Sequence, residues 1–219
     1  MTTTKAQYPL KTYPAREEKL NILSHALGVI FGIIAIYMML IKVIPFNNTI
    51  YIFAFLIYGI SIITLFGAST LFHSAKTPKI RYKLNILDHC AIFFLIAGTY
   101  TPYTLIVLSG KTGWILFSAI WCIALIGILL KLFFTGKYRI LSTVIYVLMG
   151  WAAVFAFKPL YQNMHSNGFA WLIFGGIAYT LGAVLYAIKK IPYNHAIFHI
   201  FVLIAAISHF ISIYYFILL

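Results

Sequence analysis

Seven apolar stretches of bilayer-crossing length follow one another along this chain of 219 residues, at roughly 22–44, 49–72, 86–108, 112–130, 140–157, 168–188 and 194–217. A helix rises 1.5 Å per residue, so a hydrocarbon core of about 30 Å needs about twenty such residues. No water is available inside a bilayer, so each span must pair its own backbone N–H and C=O groups, which for stretches of this length means helix. The expected fold is all-α, an integral membrane bundle of seven transmembrane helices. Composition agrees, with 63% hydrophobic and 9% charged residues and a mean hydropathy of +0.98, values that a soluble domain does not reach. Residues 1–20 read as a polar tail and 21–219 as the bundle. The first run lacks a small-residue cleavage pattern and follows a long polar segment, so it is expected to be a retained helix, not a signal peptide.

Basic residues set the expected orientation. With the N-terminus cytoplasmic, the inside set is Lys5, Lys11, Arg16, Lys19, Lys76, Lys79, Arg81, Lys83, Lys131, Lys137, Arg139, Lys189 and Lys190, against Lys42, Lys111 and Lys158 outside. That bias of thirteen to three places the N-terminus in the cytoplasm and the C-terminus outside. The net charge of +13 then reports topology and contact with anionic inner-leaflet lipid. Nucleic acid is not an expected partner, because the basic residues are spread over four short loops. Cys90 and Cys122 both fall in spans and read as packing residues, with no disulfide framework.

This orientation brings chemistry to one membrane face. His25 opens the first span, His73 closes the second, Asp88 and His89 open the third, and His195 and His199 open the seventh. Embedded ionisable groups are costly, so their convergence at four helix ends marks a functional site. His195 and His199 are spaced i, i+4 and project from one face of a helix. With His73 at matched depth they form a candidate zinc site, in which three neutral imidazoles would leave a fourth position open.

Around that triad, Ser69 precedes His73 by four residues and faces the same way. Its hydroxyl could serve a metal-bound water or an oxyanion, or could back-bond to the Leu65 carbonyl as serines in membrane helices do. Asp88 is the one acid inside a span and is the candidate base. Glu18, Asn21 and His25 lie at i, i+3 and i+7, one helical stripe that could orient the site as a second layer or cap the first helix. His89 is a further candidate for that layer, although its side chain leaves the helix about 100° from that of Asp88. Gly28 and Gly32 should allow close helix approach. Pro102 should kink the third span and free the Gly98 carbonyl.

At these residues the chain resembles the hemolysin III family, bacterial members of the progestin and adiponectin receptor group, which is itself similar to the alkaline ceramidases. The resemblance is carried by Glu18-x-x-Asn21-x-x-Ser24-His25, Ser69-x-x-x-His73, Leu87-Asp88-His89, Ala97-Gly98-Thr99-Tyr100-Thr101-Pro102 and His195-x-x-x-His199. It implies a multi-pass protein of the bacterial plasma membrane with seven helices, a cytoplasmic N-terminus, zinc on the three histidines and a water near Asp88. The stretch between His73 and Asp88 is shorter than in the adiponectin receptors. The function expected first is a zinc-dependent hydrolase of a lipid amide or ester, with Asp88 and Ser69 as catalytic groups. The other classes are a non-enzymatic regulator or receptor-like sensor of lipid state with structural zinc, and a pore-forming toxin. For the last, the polar cluster stays at one face and does not continue across the membrane.

Overall fold

A computed structural model describes residues 12–134 and 139–218. Lys5, Lys11 and Lys137 of the charge count therefore lie outside the described residues. The helices are α1 Ala15–Val43, α2 Thr49–Ser74, α3 Pro78–Pro102, α4 Gly110–Phe134, α5 Arg139–Gly150, α6 Phe157–Asn163, α7 Ser166–Ala187 and α8 Asn194–Phe216. Among the described residues they build seven spans long and apolar enough to cross a membrane, and no strand is present. The seven-span all-α bundle is thus as expected. The span ends differ from their hydropathy limits: α1 starts at Ala15 and α3 at Pro78, because their charged first turns, in which only Glu17 and Arg81 are buried, escape a hydropathy window.

The bundle hides its least hydrophobic residues. The buried stripe of α1 runs Glu17, Asn21, His25, Gly28, Gly32, Ala35, Met39 and Val43, while Leu20, Leu23, Leu27, Ile30 and Ile34 face outward. In lipid an outward leucine costs nothing, so helices associate through small residues that let backbones approach and through polar groups. A Cβ on Gly28 would lie 2.3 Å from the Phe66 ring, and one on Gly32 would lie 2.9 Å from Ile62. These two glycines seat α1 on α2. On α7 the same device recurs, where a Cβ on Gly175 would meet His209 at 2.3 Å.

Two breaks shape the interior. Beyond Pro102 the third span continues as a π-helical turn, Tyr103–Leu108. Hydroxyls satisfy carbonyls there, Thr101 on Ala97 at 2.8 Å and Thr104 on Tyr100 at 2.9 Å. The fifth span, expected to be continuous over 140–157, is divided into α5, a 3-10 turn Ala152–Ala156 and α6. Tyr100 supports the break, its hydroxyl donating to Gly150 O and accepting from Ala153 N, both at 2.8 Å. Exposed backbone in a membrane is tolerated only with such partners.

Candidate metal centre

The site sits at the end of the bundle where α1 and α8 begin and α2 ends. His73, at the C-terminal turn of α2, meets His195 and His199, one turn apart at the start of α8. His73 Nε2 lies 3.2 Å from His195 Nε2, which lies 3.1 Å from His199 Nε2. All three residues are buried, and their candidate ligand atoms lie within 4.8 Å of one another. Zinc–nitrogen bonds of about 2.0–2.1 Å at tetrahedral angles separate neighbouring nitrogens by about 3.3–3.4 Å. The imidazole spacing fits that demand.

The ring orientation of His73 is set from α1. Its Nδ1 lies 2.6 Å from Glu18 Oε2. A carboxylate can only accept, so Nδ1 carries the proton and Nε2 keeps its lone pair, aimed at the other two rings. This carboxylate–histidine pairing is the arrangement that orients metal-binding imidazoles. Asn21 Nδ2 stands 3.4 Å from the same Nδ1. His25 stacks on His199 with ring centroids 3.6 Å apart and a tilt of 15°. The structure therefore brings Glu18, Asn21 and His25 to the histidine cluster along one stripe of α1.

His89 bonds back onto its own helix, its Nδ1 donating to Asn85 O at 2.8 Å, while its backbone carbonyl accepts from the Tyr146 hydroxyl of α5 at 3.0 Å. It lines the same cavity as Asp88 and His199. Asp88 faces Ser69 of α2, with which it interacts, and both line the cavity beside the histidines. Among the described residues the metal-competent set holds the three histidines without Asp88.

Three neighbours escaped the sequence reading. Glu17, the residue before Glu18, accepts from His195 N at 3.3 Å. Tyr193, the N-cap of α8, contributes no side-chain bond, so an acid from α1 takes that place at the positive end of the helix. Arg81 is held by Glu18 and donates to the Phe72 and His73 carbonyls at 3.3 and 3.4 Å. It thereby closes the C-terminus of α2 just where His73 sits. Tyr13, ahead of α1, stacks on His195 at 4.5 Å and 8°. Burial, followed by Tyr186 and the two glutamates, drives its phenol well above its ordinary pKa of 10.0, which keeps it neutral. The available signal was scarcity: Glu17 and Glu18 are two of three acids in the whole chain.

A cavity of about 270 Å³ leads away from the histidines, near the lower end of small-molecule pockets. Its wall reaches from His195 to His209, roughly 21 Å along α8 at 1.5 Å per residue. Leu65, Ile92, Leu95, Ile96, Val147 and Val202 make much of it apolar. His209 bonds Leu172 O of α7 at 3.1 Å, a link between helices. Cys90 is buried against Ile128, and Cys122 is exposed on the outer surface of α4.

Glu18→Gln is expected to lower zinc affinity by about 10–100-fold, the usual effect of removing such an orienting partner, while helical content is kept. Competition with a graded chelator measures this. Unchanged affinity would remove Glu18 from any role in holding the metal.

The family profile described as "Haemolysin-III related" matches residues 13–210. Hemolysin-3 of Bacillus cereus is 41% identical over 203 residues, covering 93% of either chain. The hemolysin-3 homolog of Bacillus subtilis (strain 168) is 40% identical over 204 residues, 93% of this chain and 96% of that one. The adiponectin receptor protein of Drosophila melanogaster is 27% identical over 216 residues, 87% of this chain and 48% of that one.

Proposed function

This multi-pass membrane protein belongs to the haemolysin-III family, and we propose that its histidine site makes it a zinc-dependent hydrolase of a lipid amide or ester. One observation carries the proposal: three buried imidazoles, with His195 Nε2 3.2 and 3.1 Å from those of His73 and His199, stand at the head of a largely apolar cavity. When bound there, zinc supplies Lewis acidity and makes water a nucleophile at neutral pH.

The chain's own groups supply the rest. His73, His195 and His199 hold the ion, and Glu18 keeps His73 in the tautomer that can do so. The apolar walls exclude water and take up hydrocarbon, placing a polar linkage near the histidines. Asp88 accepts the proton of the attacking water and returns it to the leaving group. Ser69, beside it, orients that carboxylate or donates to the oxyanion. In the orientation read from the charge bias, these events occur at the cytoplasmic leaflet, where anionic lipids meet the basic loops. A second reading keeps zinc as a tie between α2 and α8 in a non-catalytic regulator, since the ligands come from those two helices.

The test uses full-length protein reconstituted in oriented vesicles, with ceramide or phospholipid supplied to one leaflet at a time. Cleavage is expected from the cytoplasmic leaflet, lost with chelator and restored by zinc. Cleavage from the outer leaflet alone would overturn the orientation. Fully zinc-loaded protein that cleaves neither lipid would favour the structural tie.

A further inference from the structure

Lys131 does not behave as a lysine near a helix end should. It lies in the last turn of α4, where a long cationic side chain ordinarily snorkels to the headgroups. Instead it is 4% exposed and lines the cavity that contains His199 and Asp88. Asn85, Ser142, Thr143 and Tyr146 line the same cavity from α3 and α5. α4 is the fourth span and α2 the second, so this end of α4 lies at the membrane face that holds the histidines.

We infer that the cavity takes a lipid with an anionic headgroup, phosphate or carboxylate, and that Lys131 selects it. Whatever neighbours Lys131 keeps, it sets a positive charge into a cavity that is largely apolar and also holds the Asp88 carboxylate, and that charge draws a negative group toward the α4 side, where the Asn85 amide also lines the cavity. The hydrocarbon of the same lipid then follows the apolar wall toward His209. That this lipid is also the substrate rests on the hydrolase reading; that it binds does not.

The experiment measures binding, so it stands apart from turnover. Purified full-length protein is titrated with phosphatidic acid and with diacylglycerol of matched chains, by native mass spectrometry and by shift of the unfolding temperature. The unaltered protein is expected to prefer phosphatidic acid by roughly tenfold or more, the scale of one hydrogen bond to a charged group. Lys131→Arg should keep the preference, and Lys131→Gln and Lys131→Met should lose it; removing a buried charge is commonly tolerated by the fold. The preference should survive in His73→Ala, which separates Lys131 from the metal, and in Lys79→Gln, which separates it from the basic surface. Inorganic phosphate should neither shift the unfolding temperature nor compete, because the site needs the acyl chains; competition would assign the site to free phosphate. Equal binding of the two lipids, or a preference kept in Lys131→Met, would overturn the inference. A lost preference with no cleavage of any lipid would leave the anionic site standing and remove the hydrolase.

Discussion

Purified protein is expected to contain about one zinc per chain, and His199→Ala to contain almost none. His199 Nε2 stands 3.1 Å from His195 Nε2, and its ring stacks on His25, so the imidazole is held against both neighbours. Two imidazoles and water bind zinc far less tightly than three, so the loss should exceed the ~10–100-fold that orienting partners command. His73→Ala and His195→Ala should behave alike, while His89→Ala, whose ring bonds Asn85 O, should keep its metal. Metal analysis beside circular dichroism separates lost ligand from lost fold. Acid should release the ion from the unaltered protein, since imidazoles bind metal only when neutral and protons compete for the same lone pairs. Full zinc retention in any of the three variants would remove that histidine from the set.

Asp88→Asn is expected to keep the zinc and to lose lipid cleavage by about 10²–10⁴-fold, the contribution of a positioned general base. Asparagine matches the shape and still pairs with Ser69, but it cannot take a proton. The geometry supports this division, because the metal-competent cluster consists of three histidines and Asp88 lies on the cavity wall beside them. Parallel measurement of metal content and turnover decides it. An Asp88→Asn protein stripped of zinc would make the carboxylate a ligand, and one with full turnover would end its role as base.

Much of the site was legible because its signals are local. The i, i+4 spacing of His195 and His199, the i, i+3, i+7 stripe of Glu18, Asn21 and His25, and the parity of seven spans all follow from helical geometry within single segments. Counting spans was enough to bring His73 to the same membrane face as the α8 pair. Depth along a helix is a one-dimensional quantity, and hydropathy supplies its origin.

What remained hidden depends on rotation about the helix axis and on contacts between helices. That Tyr146 of α5 donates to the His89 carbonyl, that Glu17 and not the N-cap residue serves the start of α8, and that Arg81 links Glu18 to the end of α2 required each helix to be seated on its neighbours. So did the inward turn of Lys131 and the break between α5 and α6. The physical reason lies in the solvent. In water, burial sorts apolar from polar faces and the sequence pattern reveals which side is inside. In lipid both faces of a helix are apolar, so close packing at residues such as Gly28, Gly32 and Gly175, together with a few polar pairs, chooses the rotation. The sequence alone therefore determined the seven spans and the gathering of the histidines at one end of the bundle, and the tertiary structure alone decided which side chains meet there.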